Sequence, residues 1–169
     1  MSNIPIETER KFLIRIPSLD ELKSQSDFRI RHITQTYLKT DGKKNARVRK
    51  VIENNTVTYI KTVKERISTL SCYEDEHIIS LEEYELLLSN ADQDKNTIHK
   101  TRYSFDYLGH ILEVDVYNFW NDRATLEIEL SSEDEEFSIP SFIDVIKEIS
   151  ADGRYKNTNL AKNVPFDEI

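Results

Sequence analysis

Pairs of charged residues two positions apart recur along this sequence, and they constrain its fold more than any other feature. The first stretch is IETERKFLIRI, in which Glu7, Glu9 and Lys11 stand at alternate positions. Residues i and i+2 of a β-strand point to the same side, about 7 Å apart, so a strand here carries three charges in a row on one face. Such a face must meet water or find compensating charge.

Seven further stretches repeat this spacing. They are rich in Val, Ile, Thr, Tyr and Phe and lie between turn residues, so we predict eight strands, seven of which carry charge on one face. The paired positions are Gln35 and Tyr37, Arg47 and Arg49, Thr62 and Lys64, Glu74 and Glu76, Lys100 and Arg102, Glu113 and Asp115, and Glu127 and Glu129. The predicted turns are at Gly42, Asn54 and Asn55, Gly109, and Gly153.

Helices are predicted as interruptions between these strands. A serine followed three residues later by an acidic residue is a helix start signal. It occurs at Ser18 in PSLDELKSQ, at Ser80 in SLEEYELLL and at Ser141 in PSFIDVIKEIS, and a short last helix is expected in NTNLAKN. The sequence therefore predicts a mainly β (α+β) fold in a single domain over residues 1–169, with a few helices outside.

The charged faces allow two interpretations. One strand of this kind is typical of a sheet with one face in water. The whole set, with apolar Val48, Val114 and Ile128 between the charges, favours a closed eight-stranded antiparallel β-barrel whose charged faces point inward. Unpaired buried charges are costly, so such an interior must hold water, metal ions and a ligand of high charge density.

The inward charges indicate what that ligand is. Six of them are basic: Lys11, Arg47, Arg49, Lys64, Lys100 and Arg102. The guanidinium group of arginine binds phosphate oxygens in a bidentate way. Eight are carboxylates, the oxygen ligands that Mg²⁺ and Mn²⁺ prefer: Glu7, Glu9, Glu74, Glu76, Glu113, Asp115, Glu127 and Glu129. A polyphosphate bound with a divalent metal satisfies both sets.

Other functional classes lack their signals. A net charge of −8 argues against non-specific binding to nucleic acid or to an acidic membrane. Cys72 is the single cysteine, and no leader or membrane-spanning run is found, so we expect a cytoplasmic protein. The GxxxxGK, HExxH and GxSxG motifs are absent from the sequence.

The order of these pairs resembles the CYTH superfamily, the triphosphate tunnel metalloenzymes. IETERKFL resembles the ExExK signature of that family, and RxR, TxK, ExE, KxR, ExD, ExE and a closing RYKNTNLA follow it over nearly the whole chain. Each pair alone is a weak signal, but their order is specific. The resemblance implies an eight-stranded antiparallel tunnel that binds a triphosphate, with a C-terminal plug helix over one mouth.

The resemblance also implies roles for individual residues. Glu7, Glu9 and Lys11 would be catalytic, and Glu9, Glu127 and Glu129 would hold Mg²⁺ or Mn²⁺, with Glu7 near a second metal or the attacking water. Substrate phosphates would be bound by Lys11, Arg47, Arg49, Lys64, Lys100 and Arg102, with Lys156 in the plug as a further contact or an exposed lysine. Glu74, Glu76, Glu113 and Asp115 would support the metal ligands or pair with the basic residues.

Hydrolysis of inorganic tripolyphosphate is the predicted activity, with a small-molecule triphosphate as the partner. Thiamine triphosphate is the second candidate, because Trp120, Tyr117 or Phe119 could form an aromatic slot, although packing fits them better. A class IV type adenylate cyclase, a sensor that binds polyphosphate or a nucleotide, and a barrel with merely solvated charges remain alternatives. No protein partner is indicated.

Overall fold

Strands are the main regular elements of the computed structural model, which describes residues 3–169. The strands are β1 (Ile6–Arg15), β2 (Ser26–Tyr37), β3 (Asn45–Glu53), β4 (Thr56–Arg66), β5 (Ser71–Ile79), β6 (Ile98–Tyr107), β7 (His110–Tyr117), β8 (Arg123–Leu130) and β9 (Val145–Glu148). The helices are α1 (Leu19–Lys23), α2 (Leu81–Leu88) and α3 (Asn157–Leu160), preceded by a 3₁₀ turn over Gly153–Tyr155. No helix in the described part of the chain is long and apolar enough to cross a membrane.

Eight of the strands close into an antiparallel barrel, as the sequence predicts. Their order is β5-β4-β3-β2-β6-β7-β8-β1, and a further pairing between β1 and β5 joins the two edges. Ile6 pairs with Tyr73 and Thr8 with Ser71 at this closure. Every one of these pairings is antiparallel, so neighbouring strands run in opposite directions between the two rims of the barrel.

The segment from Ser141 to Ile149 departs from the sequence prediction, because the helix expected there is absent. Val145–Glu148 instead forms β9, which runs antiparallel to the second half of β1. The closure with β5 uses only the first residues of β1, so the rest of that edge has free backbone groups. The amide of Arg15 donates to the carbonyl of Asp144 (3.0 Å), and the amide of Ile149 donates to that of Lys11 (2.8 Å). This edge pairing suits the β-branched residues of the segment better than a helix does.

The other predicted helices form where the sequence places them. The Ser18 and Ser80 hydroxyls accept from the amides of Glu21 and Glu83 at the starts of α1 and α2. The turn between β3 and β4 holds Asn54 at a φ of 49° and the next residue also at positive φ, the backbone that a tight hairpin requires. Strand β2 is longer than predicted, since it begins at Ser26 instead of near Gln35.

Apolar packing lies outside the barrel wall, on the face opposite to the charges. Val48, Val114 and Ile128 are completely buried. The outer faces of β1, β6, β7 and β8 are covered by α1 and by the segment that leads into β9, with residues Leu22, Phe137, Ile139 and Phe142. Helix α2 covers β3 and β4, where the Tyr84 ring packs against Tyr59 with 4.7 Å between ring centroids.

One end of the barrel is filled by a second apolar cluster. The inward faces of the strands turn from charged to apolar there, at Leu13, Tyr37, Ile98 and Tyr117. The C-terminal segment packs onto this surface through Tyr155, Leu160 and Ala161. Helix α3 therefore lies at one opening of the barrel, where the family resemblance implies a plug.

Candidate active site

The alternation of each strand brings the paired charges into the barrel interior. Eight of the predicted site residues are buried: Lys11, Arg47, Arg49, Lys100, Arg102, Glu113, Asp115 and Glu127. Five others, Glu7, Glu9, Lys64, Glu74 and Glu129, are half-buried, as is Lys156 in the plug segment. Glu76 is the exception, because its side chain lies at the rim and is exposed.

Two cavities occupy the barrel, one toward each end, and Arg47 lines both. The larger, of about 400 Å³, lies beside the plug and is lined by Glu9, Lys11, Lys64 and Lys156 among others. The smaller, of about 150 Å³, lies at the opposite end, where four arginines from β2, β3 and β6 face five glutamates from β1, β5, β7 and β8. The interior is thus a polar tunnel interrupted by charged side chains.

Lys64 lines the larger cavity and pairs with two glutamates that line the smaller one. Its Nζ atom donates to Oε2 of Glu7 at 2.7 Å and lies 3.1 Å from Oε2 of Glu74. Burial opposes ionisation of Glu7, but the charge of Lys64 outweighs it and lowers the pKa of Glu7 to about 2. Glu7 is therefore ionised at any physiological pH and available to accept hydrogen bonds.

Arg102 and Lys100 share one buried carboxylate on the neighbouring strand. Arg102 contacts Asp115 through Nε and Nη2 at 2.7 and 2.8 Å, and Lys100 Nζ lies 2.7 Å from Oδ2 of the same residue. Arg102 also reaches Glu113 at 3.0 Å and Glu127 at 3.6 Å. Burial lowers the pKa of Lys100 to about 7 even beside Asp115.

Arg47 and Arg49 differ in how far their charge is compensated. Arg49 Nη2 donates to Oε2 of Glu76 at 2.7 Å, and the Thr62 hydroxyl supports the same oxygen at 2.9 Å. Arg47 has no carboxylate within 4.0 Å among residues 3–169, and its Nε atom is buried without a hydrogen-bond partner. Arg47 is consequently the buried interior cation best placed to bind an added anion.

Carboxylates crowd together where β1 and β8 pair. Glu9 lies directly opposite Glu129, and Lys11 lies opposite Glu127. Burial, with the charges of Glu127 and Glu7, raises the pKa of Glu9 well above its usual range. Burial, with the charges of Glu113 and Glu7, raises the pKa of Glu129 to about 7. Within residues 3–169, no lysine or arginine nitrogen lies within 4.0 Å of either carboxyl, and both therefore resist ionisation.

This cluster fits a hard divalent cation by its chemistry. One oxygen of Glu9, Oε2, is shielded from solvent and has no hydrogen-bond partner in the described residues. A bound cation would satisfy this oxygen and relieve the mutual repulsion with Glu127 and Glu129, and carboxylate oxygens are the donors that Mg²⁺ and Mn²⁺ prefer. Across residues 3–169, no three His, Cys, Asp or Glu side chains are already drawn together at ligand spacing, so binding would require their rotamers to converge.

Arg31 is an interior residue that the sequence analysis missed. It lies on β2 directly opposite Arg102 and lines the smaller cavity. Its Nη2 atom donates to Ser104 at 3.1 Å and to Glu113 at 3.2 Å, while its Nε is buried without a partner. The i, i+2 pattern from Arg31 through Ile33 to Gln35 is the signal that would have found it, had β2 been extended to its true start.

The aromatic residues near the plug do not form an open slot. Tyr117, Phe119 and Trp120 pack on one another with ring centroids 4.9 to 5.5 Å apart. The indole of Trp120 is buried and donates to the carbonyl of Pro165 at 3.0 Å. None of the three lines either tunnel cavity, so these rings serve packing.

Comparison with known proteins adds independent information. The family model described as the CYTH domain matches residues 5–161. The inorganic triphosphatase of Acetivibrio thermocellus is 33% identical over 164 residues, which cover 93% of this chain and 94% of that protein. A solved structure described as an inorganic triphosphatase is 27% identical with a TM-score of 0.58, covering 94% of this chain and 96% of that one. A Pyrococcus furiosus structure of unassigned function, 24% identical with a TM-score of 0.59, covers 76% of this chain and 80% of its own and shares the fold.

Proposed function

Because the chain belongs to the CYTH domain family, we propose that it is a metal-dependent triphosphate phosphohydrolase. Its substrate in this proposal is inorganic tripolyphosphate, which it cleaves to pyrophosphate and phosphate. The observation that carries the proposal is the set of six lysine and arginine side chains that point into one barrel together with a carboxylate cluster. The relatives named as inorganic triphosphatases support the same substrate class.

Binding of the phosphate chain falls to the six basic residues. The set is Lys11, Arg47, Arg49, Lys64, Lys100 and Arg102, with Lys156 as a contact from the plug. In the protein without substrate, most of these cations are paired with carboxylates; on binding, they exchange a carboxylate oxygen for a phosphate oxygen. Arg47, which has no such partner, binds without that exchange. Two charge-assisted contacts from one guanidinium also fix the orientation of the chain.

Glu9, Glu127 and Glu129 are the residues that would hold Mg²⁺ or Mn²⁺, with Glu7 beside them. A divalent cation bound there would draw off the charge that develops on the phosphate oxygens. Glu9 and Glu129, whose pKa values are raised in the metal-free protein, would ionise on metal binding. Lys11 of β1 lies opposite Glu127 of β8, with 3.6 Å between its Nζ and Oε1 of Glu127, and would bind a phosphate oxygen beside this cluster.

Hydrolysis then needs only a positioned water and an aligned chain. Glu7, which stays ionised, accepts a hydrogen bond from the water and orients it toward the terminal phosphorus. A bond forms between the water oxygen and that phosphorus as the bridging P–O bond breaks, and the proton of the water passes to a phosphate oxygen of the products while Glu7 stays ionised. Pyrophosphate leaves as the other product, and Arg47, Arg49 and Arg102 hold the chain in line during the step.

The test is phosphate release from tripolyphosphate, thiamine triphosphate and ATP in parallel, each with Mg²⁺, with Mn²⁺ and with a chelator. We expect fast, metal-dependent release from tripolyphosphate and little from the other two, because Tyr117, Phe119 and Trp120 line neither tunnel cavity. Rapid phosphate release from thiamine triphosphate alone would show that thiamine triphosphate, and not tripolyphosphate, is the substrate. Binding without release from any of them would contradict the enzyme and favour a sensor.

A further inference from the structure

Two arginines share a single glutamate in the wall of the smaller cavity. Arg31 on β2 lies directly opposite Arg102 on β6, although like charges at such a position repel each other. Between them, Oε2 of Glu113 accepts from Nη2 of Arg31 at 3.2 Å and from Nη1 of Arg102 at 3.0 Å. All three residues line this cavity. One carboxylate oxygen therefore compensates two neighbouring guanidinium groups.

Every nitrogen of the Arg102 guanidinium already contacts a carboxylate. Nε and Nη2 donate to the two oxygens of Asp115 at 2.7 and 2.8 Å, and Nη1 donates to Glu113. To bind a phosphate oxygen, as the proposed function requires, Arg102 must release one of these partners. The single contact with Glu113 is easier to break than the bidentate pair with Asp115, because bidentate pairs are the stronger ones.

Release of Glu113 is costly unless another cation stays with it. The side chain is buried, and a buried charge that loses its partner is strongly destabilising. Like charges surround it, since Glu127 lies directly opposite on β8 and Glu129 lines the same cavity. Among residues 3–169, Arg31 and Arg102 are the basic residues within 4.0 Å of this carboxylate. Arg31 is thus the cation that remains.

We propose that Arg31 is a positioning residue for substrate binding, which retains Glu113 when Arg102 turns to the phosphate chain. This inference rests on the proposed function and specifies how the site exchanges its own carboxylates for those of no other side chain but for phosphate oxygens. Arg31 acts through Glu113 and Arg102 and does not itself need to touch the substrate. Its removal would leave Glu113 without a cation in every substrate-bound state.

A direct contact between Arg31 and phosphate is the competing role. The Nε atom of Arg31 is buried and has no hydrogen-bond partner within the described residues, so it has a donor to offer. The two roles differ in their dependence on Glu113. A retaining role disappears when residue 113 carries no charge, whereas a direct contact with phosphate persists. A double-mutant cycle over Arg31 and Glu113 therefore separates the two roles.

The experiment measures KM and kcat for tripolyphosphate with Mg²⁺ in Arg31→Gln, Glu113→Gln and the double variant. We expect Arg31→Gln to raise KM by roughly 10- to 100-fold, with kcat within about twofold of the wild type, because the stranded carboxylate penalises all bound states equally. Glu113→Gln should not raise KM, since Arg102 then has no charge to release. Adding Arg31→Gln to Glu113→Gln should change KM by less than about threefold. Arg31→Lys, which keeps the cation, should recover most of the wild-type affinity.

The matched control is Arg29→Gln. Arg29 lies two residues earlier on the same face of β2, lines neither tunnel cavity and pairs with Glu53 at 2.7 Å. Its loss should leave KM at the wild-type value. Thermal melting verifies that each variant folds. If Arg31→Gln alone does not fold, the double variant, which strands no charge, still overturns the inference when its KM clearly exceeds that of Glu113→Gln.

The outcomes separate this inference from the proposed function. If the wild type hydrolyses tripolyphosphate but Arg31→Gln has a wild-type KM, or its KM rises equally with and without Glu113→Gln, the inference is overturned and the activity stands. If no hydrolysis occurs, the same cycle is measured as Kd by calorimetry. The expected pattern of Kd values would then support the role of Arg31 and overturn the hydrolase, whereas absence of tripolyphosphate binding would overturn both.

Discussion

Among the interior residues, Arg47 offers the sharpest test of substrate binding. It lines both cavities, is buried and has a side-chain nitrogen without a partner. In the Arg47→Ala variant we expect triphosphate binding to weaken by about 1.5–3 kcal/mol, the range for a hydrogen bond to a charged group, or roughly 10- to 150-fold in Kd. Calorimetric titration of tripolyphosphate measures it.

The matched control for Arg47 is Arg29→Ala. Arg29 lies near the start of β2 on the same face as Arg31, is half exposed, and forms a bidentate pair with Glu53 at 2.7 Å. This variant removes one arginine that lines neither tunnel cavity, so its affinity should equal that of the wild type. Equal affinities of all three proteins would show that the interior charges are only solvated, as the alternative interpretation of the barrel holds.

Glu129 tests the metal requirement. The Glu129→Gln variant keeps the shape of the side chain but removes the charge that a divalent cation needs. We expect it to abolish nearly all turnover and to raise the metal concentration at half-maximal rate, with weaker Mn²⁺ binding in a direct titration. Glu85→Gln, on the exposed side of α2, is the control. Normal turnover at low metal would remove Glu129 from the metal ligands.

The strands could largely be predicted from the sequence, whereas two features of their arrangement could not. A period of two is a local property, so residues such as Arg47 and Glu127 reveal their shared face without knowledge of their neighbours. Strand β9 depends on the free edge of β1, more than 130 residues earlier in the chain, and its apolar spacing also fits a helix. Arg31 was missed because the first half of β2 lacks a clear alternation of apolar residues. Pairing with β6 extends the strand over this half.

The plug element is expected to contribute strongly to stability. Leu160 of α3 is 2% exposed and packs with Leu13, Tyr155 and Ala161 at the closed end of the barrel. Leu160→Ala should lower the free energy of unfolding by about 2–5 kcal/mol, through lost burial and the cavity left behind. Urea denaturation measures this change. Leu86→Ala, at a position 72% exposed on α2, should change stability by less than about 0.5 kcal/mol, and equal losses in both would show that α3 does not pack in solution.

At the scale of the whole molecule, repulsion between carboxylates in the tunnel makes the stability of the folded protein depend on pH. Burial and neighbouring charges raise the pKa of Glu129 from 4.5 to about 7 in the folded protein, and the pKa of Glu9 is also raised. A folded state that holds protons more tightly than the unfolded state loses stability as these protons leave. The stability contribution is therefore complete below about pH 4.5 and is lost as the pH rises through about 7.

This linkage predicts a direction for the melting temperature of the protein in chelator. It should fall between about pH 5 and about pH 7, and tripolyphosphate with Mg²⁺ should raise it again at neutral pH because ligand binds only the folded state. Above neutral pH the sign reverses, since the lowered pKa of Lys100, about 7, makes the unfolded state the tighter proton binder. The glutamine of the Glu129→Gln variant cannot ionise. Between about pH 5 and about pH 7, the melting temperature of this variant should therefore depend less on pH than that of the Glu85→Gln variant. If the two variants gave the same slope, the carboxylates of β1 and β8 would not be in repulsive contact, and the argument that metal binding relieves them would fail.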